Sequence, residues 1–405
     1  MPAKSIRWVI VFMVFIATGL SFLDRQVLSM TIIKIQKEFN MSNVQYGWVN
    51  TGFLISYAIM FTIAGRLTDK YGGKIGLAVS VGIWSVANSL HGLMHNFVQL
   101  VTLRFFLGMG EGGAFPGAAK IVNEWFGNKD RALANGIAIG GSAIGAVIAP
   151  PLTSYLALKY GWRMSFTVPG LIGMVWVLVW LCLPSAAKKE SLDFGLKTGA
   201  TPAKPTIAAL LKQKQVWIFI LIRFMLDPIF YFIMFWVPKF LNQDRHLSFE
   251  RIGQLFWIPF LALGISNILG GAVSDQFIKR HGWSVNKARK LVMGVAAALT
   301  MVAPIIAWSS SAEVAIFLIA VLLFAHGFWI TNYITAIADI FGNLSTSTIV
   351  GLSGSAGAIS SLVINPLIGV IIKNYSYTPL WVISGISYPL AFLLLIIFIP
   401  KIQPK

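Results

Sequence analysis

Six ionisable residues lie inside long apolar runs of this 405-residue sequence: Asp24, Arg25, Arg104, Glu111, Arg223 and Asp227. A charge placed in a bilayer costs about 2.5–3.5 kcal/mol on insertion scales, so each of the six needs a partner or a function. A guanidinium is a planar fork of donors that fits a carboxylate, and a desolvated carboxyl group can take up and release a proton. Together these residue types can recognise an anion and exchange protons. Other chemistries lack their residues. There is no H-E-x-x-H, no G-x-x-x-x-G-K-[ST] phosphate loop, and the five histidines are scattered. Gly108 to Gly113 satisfies G-x-G-x-x-G, but no strand precedes it and its glycines lie within an apolar run.

Spacing predicts how the charges divide. If one run ends near residue 31 and another begins near 97, Asp24, Arg25 and Arg104 all lie about seven residues, roughly 10 Å, below the same boundary. Asp24 and Arg25 are neighbours about 100° apart on a helix, so both cannot face one partner. The expected arrangement pairs Asp24 with Arg104 and leaves Arg25 to grip a substrate carboxylate. Glu111 lies two turns, about 10 Å, beyond Arg104, too far for a direct bond. Desolvated among Gly108, Gly110, Gly112 and Gly113, it is the first choice for the coupling proton, with Asp24 and Arg104 beside it. Arg223 and Asp227, four apart, can satisfy one another, and His326 reads as a packing residue. Neutral groups for substrate hydroxyls are offered by Asn332 first, then Tyr333 and Ser355, with Asn267 and Asn365 further candidates.

The elements that position these residues follow from composition. Hydrophobic residues make up 57% of the chain and charged residues 11%, against about 25% charged in an average globular protein. That excludes a soluble two-domain enzyme and makes the bilayer the solvent. The net charge of +18 lies in short tracts between apolar runs rather than in one patch, which argues against nucleic acid as a partner. Cys182 alone builds neither a disulfide framework nor a cysteine metal site, and no cofactor is implied. The N-terminal apolar run continues into Asp24-Arg25 without a small-residue cleavage site, so it reads as a retained span.

Twelve apolar segments fall near 8–31, 44–65, 75–95, 97–120, 131–157, 164–184, 214–238, 251–274, 288–308, 313–338, 347–372 and 378–400. Of the 32 Lys and Arg residues, 21 lie on the side of the N-terminus and 8 on the other, which places both termini in the cytoplasm. The halves repeat: Phe126-Gly127-Asn128 matches Phe341-Gly342-Asn343, Pro151-Leu152 matches Pro366-Leu367, and Gly170 matches Gly385, all at one offset of 215. The fold class expected is therefore an all-α polytopic membrane protein of twelve helices in two pseudo-symmetric bundles. Residues 1–184 form the first bundle, 185–213 a cytoplasmic linker without helical periodicity, and 214–405 the second. Such repeats place a binding site between the halves near the midplane.

Gly65-Arg66-Leu67-Thr68-Asp69-Lys70-Tyr71-Gly72-Gly73-Lys74 resembles the loop signature of the major facilitator superfamily, and Arg104-x3-Gly108-x3-Gly112 its fourth-span signature. Phe22-Leu23-Asp24-Arg25, with Arg104 and Glu111 to Gly117, resembles the anion:cation symporter branch, which includes bacterial hexuronate and galactonate transporters. The resemblance implies alternating access and import of an organic anion, here a sugar acid, driven by protons across the inner membrane. It implies that Arg25 binds the carboxylate, Tyr57 contacts substrate, Asp24 and Glu111 carry protons, and Asp69 latches a cytoplasmic gate. Arg66 and Asp275 lie at equivalent helix ends. The reading is of a monomer whose partners are a small anion, protons and lipid. Sodium coupling, or exchange of another organic or inorganic anion, stands as the alternative.

Overall fold

A computed structural model describes residues 4–126, 130–185 and 205–403. The chain forms two compact units, Met1–Thr201 and Pro202–Lys405. The first contains α1 (Lys4–Phe39), α2 (Asn43–Tyr71), α3 (Gly73–His91), α4 (Phe97–Glu111), α5 (Ala114–Trp125), α6 (Arg131–Lys159) and α7 (Met164–Cys182). The second contains α8 (Ile207–Leu211), α9 (Lys214–Gln243), α10 (Phe249–Leu255), α11 (Trp257–His281), α12 (Val285–Thr300), α13 (Ala303–Trp308), α14 (Ala312–Phe341), α15 (Asn343–Asn374) and α16 (Thr378–Phe398).

Three of the expected spans are each broken in two: α4 with α5, α10 with α11, and α12 with α13. A proline accompanies all three. Pro116, Pro259 and Pro304 each stand four residues after the start of the break, at Gly112, Leu255 and Thr300. Proline has no N–H to give that carbonyl, and its ring crowds it. Counting each broken pair as one rod gives twelve spans. Ten are long and apolar enough to cross a membrane, and α3 and the α4–α5 rod complete the set. Their outward faces are apolar, with Ile268, Val98 and Phe317 among the most exposed side chains, as lipid-facing surfaces require.

The repeat read from the sequence reappears as a pairing scheme. In the first unit α1 packs on α6, α2 on α4, and α3 on α7. In the second the matching rods pair in the same way: α9 with α15, α11 with α14, and α12 with α16. Small residues allow the close approach, since a Cβ on Gly141 or Gly145 of α6 would run into the backbone carbonyl of Phe15 or Gly19 on α1. Gly141→Leu is accordingly expected to destabilise the first unit by about 2–3 kcal/mol. The thermal unfolding midpoint of the purified protein in detergent should fall by several degrees, and an unchanged midpoint would show that the α1–α6 contact can open.

One expectation fails in the 185–213 segment. Residues 207–211 are helical, because Pro205 and Thr206 start the turn, the Thr206 hydroxyl accepts from the Ala209 N–H, and Ile-Ala-Ala-Leu-Leu favours the helix. Residues 186–204, the bulk of the expected linker, lie outside the described residues.

Candidate transport site

The charges of the first unit meet where α1, α2, α3 and α4 converge, and they pair differently from the sequence expectation. Arg25 of α1 donates from Nε to Oε2 of Glu111, the last residue of α4, at 2.5 Å, with both side chains almost wholly buried. The Arg25 guanidinium carbon sits 4.7 Å from the ring centre of Phe22, 5.4 Å from that of Phe53 and 4.5 Å from that of Tyr57. Tyr57 in turn stacks on Phe53 with centroids 5.6 Å apart. Three rings therefore hold the guanidinium by cation–π attraction and exclude water from the ion pair, which strengthens it.

Asp24, expected on Arg104, instead accepts a hydrogen bond from Asn88 Nδ2 of α3 at 2.8 Å. Among the described residues no ion pair joins Asp24 to Arg104. Arg104 is 2% exposed, its guanidinium carbon lies 5.9 Å from the Phe166 ring centre, and its Nε and Nη2 have no hydrogen-bond partner. The long arginine stem carries the Arg25 fork to the end of α4, so its distance from Glu111 is not set by helix rise alone.

In the second unit Arg223 and Asp227 pair across one turn of α9, with Nε 2.7 Å from Oδ1 and Nη2 donating to Oδ2 at 2.8 Å. Gly357 of α15 packs against that carboxylate, where a Cβ would collide with Oδ2. His326 is a packing residue, stacked on Phe230 at 4.8 Å with Nδ1 2.5 Å from the Tyr388 hydroxyl.

The residues expected to meet substrate hydroxyls make the following contacts within the second unit. Asn332 is fully buried and spends its amide on the carbonyls of Gly270, at 2.9 Å, and Phe328, at 3.0 Å, which fastens α14 to α11. Tyr333 is also buried and donates to the Phe219 carbonyl of α9 at 2.6 Å. Both are helix fasteners, and Ser355 is half-buried on α15. A neutral polar residue on an apolar helix has two outlets, a ligand or a neighbouring backbone carbonyl, and residue type does not choose between them.

At the remaining helix ends, Asp275 pairs with Arg289 of α12 at 3.0 Å, and the same arginine reaches Asp339 of α14 at 3.3 Å and donates to Ser274. Arg66 is exposed near the end of α2. The Asp69 side chain lies outside the described residues. Asn88 and Arg289 are the residues that sequence reasoning missed. Ser85, Asn88, Ser89 and His91, polar in an otherwise apolar span at helical spacing, were the available signal for the first.

The sequence profile of the Major Facilitator Superfamily matches residues 14–346. The chain belongs to that superfamily. It is thereby a multi-pass membrane transporter and not an enzyme. The superfamily fold is visible in three dimensions too: superposed on the inward-open xylose transporter XylE of E. coli, the structure gives a TM-score of 0.77 at 14% identity, covering 97% of this chain and 96% of that one. Among sequence relatives, the hexuronate transporter of Escherichia coli K12 is 27% identical over 95% of this chain and 91% of its own. The galacturonate transporter of Dickeya chrysanthemi is 30% identical over 74% of this chain and 90% of its own.

Proposed function

We propose that this protein imports a sugar acid, a hexuronate or aldonate, by proton symport with alternating access. In this reading it resides in the inner membrane as a monomer with both termini cytoplasmic. The observation that carries the proposal is the buried Arg25–Glu111 pair inside its three aromatic rings. Relatives named for hexuronate and galacturonate transport support the substrate class.

The pair gives substrate and proton a common partner. In this reading an arriving carboxylate takes the Arg25 fork through its Nε edge and displaces Glu111. Left buried and charged without its counter-ion, Glu111 would cost about 3–5 kcal/mol, the usual penalty for breaking a buried pair. Protonation removes that charge, so anion entry and proton uptake favour one another. Release on the cytoplasmic side runs in reverse: Glu111 gives up its proton, recaptures Arg25 and expels the anion. Tyr57 holds the guanidinium in place and offers its hydroxyl to the sugar, while Asp24 is a second proton carrier in the field of Arg104. Asp69 with Arg66, and Asp275 with Arg289, serve as latches at the cytoplasmic helix ends.

Proteoliposomes test this directly. Adding glucuronate, galacturonate, galactonate or gluconate outside should raise the external pH for at least one of them, with no change for glucose or phosphate. Labelled sugar acid that exchanges without any pH change would overturn proton symport. No response and no exchange with any of the four would overturn the substrate class.

A further inference from the structure

Asn88 and Asp24 share one hydrogen bond and leave two acceptors without any. Asn88 Nδ2 donates to Asp24 Oδ1 at 2.8 Å and also to the Phe166 carbonyl at 3.1 Å. The other oxygen of each group, Oδ2 of Asp24 and Oδ1 of Asn88, is buried and without a hydrogen-bond partner. Both residues are fully buried. Two orphaned acceptors on adjoining groups are an arrangement that native interiors avoid, because each forfeits its hydration for nothing. A single proton on the Asp24 carboxyl converts Oδ2 into a donor that Asn88 Oδ1 is able to accept. A carboxylic acid and a primary amide then close a ring of two hydrogen bonds, which satisfies all four polar atoms.

We propose that Asn88 is a positioning residue that holds Asp24 in its protonated form by this two-bonded acid–amide pair, making Asp24 a proton carrier separate from the Arg25–Glu111 exchange. The inference deepens the symport reading and rests on it for the role of the proton, though not for the pair itself. The charged groups acting on Asp24 are Glu111 and Arg104, both of α4. Arg25 precedes the next turn of its own helix, and His91 lies one turn from Asn88 on α3, stacked on Phe166 with centroids 5.0 Å apart. The other helices packed on α1 are α5, α6 and α7. Their titratable residues are Lys120 and Glu124 of α5, Arg131, Tyr155 and Lys159 of α6, and Cys182 of α7, none of which is among the charges acting on Asp24. When Asp24 gives up its proton it loses the second bond to Asn88, and the unbonded Nε and Nη2 of Arg104 are the donors available to the resulting carboxylate. The two forms of Asp24 thus have different partners, on α3 and on α4.

The test is infrared difference spectroscopy of the full chain in nanodiscs, titrated without substrate, with the protonated-carboxyl band assigned by its loss in Asp24→Asn. The wild type should show that band at neutral pH. Asn88→Ala should shift the band and move its disappearance to lower pH by about one unit, the worth of one lost hydrogen bond. Asn88→Ser, which keeps a hydroxyl able to make one bond and guards against a folding defect, should shift it in the same direction. The alkaline limb of sugar-acid counterflow should move with the band. A wild type lacking the band at neutral pH, or variants that fold and leave band and titration unchanged, would overturn the proposal. The infrared readouts need no substrate. A silent transport panel with an Asn88-dependent band would therefore sink the symport reading and leave the pair standing.

Discussion

Arg25→Ala should lower sugar-acid uptake by at least about 100-fold, since truncating one side of a buried charge pair with an anion costs 3 kcal/mol or more. Arg25→Lys should recover only part of the loss: it restores the charge but not the fork that engages both oxygens of a carboxylate. The substitution also strips Glu111 of its counter-charge, so a simple folding defect could imitate loss of binding. Two measurements separate these effects. The thermal stability of Arg25→Ala should improve on acidification, as Glu111 becomes neutral, whereas wild-type stability should respond less. The double variant Arg25→Ala/Glu111→Gln should regain stability and still bind no sugar acid by calorimetry. Normal affinity in either variant would remove Arg25 from substrate recognition.

The second large effect is expected at Glu111. Glu111→Gln keeps size and hydrogen bonding but can neither pair with Arg25 as an anion nor carry a proton. Counterflow of labelled sugar acid, which needs only binding and the conformational cycle, should persist and lose much of its dependence on external pH. Accumulation against a concentration difference under an imposed pH gradient should be abolished. Affinity should rise, because the anion no longer competes with a built-in carboxylate for the same guanidinium. Continued proton-driven accumulation would assign coupling to another group, with Asp24 the next to test by Asp24→Asn.

The legible and illegible parts of this molecule divide along a physical line. What depended on period and composition could be read: twelve apolar rods, the repeat at offset 215, and the Arg223–Asp227 pair, whose spacing of one turn brings the two side chains together whatever surrounds them. What depended on the rotation of one helix against another could not. Arg25 and Glu111 are 86 positions apart and meet at 2.5 Å because α4 ends at Glu111 and the arginine stem reaches along α1 to that end. Position along a helix does not say which face a side chain takes. The contacts of Asn332 and Tyr333 were illegible for the same reason: both are polar, and they turn toward backbone carbonyls of α11 and α9. The breaks were not legible from proline alone: Pro116, Pro259 and Pro304 each remove an i to i−4 bond, but Pro150, Pro169, Pro228, Pro238, Pro366 and Pro389 stand inside helices that stay whole. At Gly112 and Gly113 the break directly follows the Glu111 carboxylate.

The proposed one-for-one exchange at Arg25 would fix the electrical character of transport. As a single carboxylate arrives, Glu111 departs carrying a single proton, so the loaded and empty sites have equal net charge. Such a step is indifferent to membrane voltage, and a monovalent sugar acid draws only on the pH difference, worth about 1.4 kcal/mol, or tenfold accumulation, per unit. A dianionic cargo would bring one uncompensated negative charge, and an interior-negative potential would oppose it by about 2.3 kcal/mol per 100 mV. A second proton carried by Asp24 would cancel that penalty for a diacid, and for a monoacid it would make the cycle electrogenic. Under the proposed symport, the occupancy of Asp24 through the cycle would therefore decide whether pH alone or the full electrochemical gradient drives it.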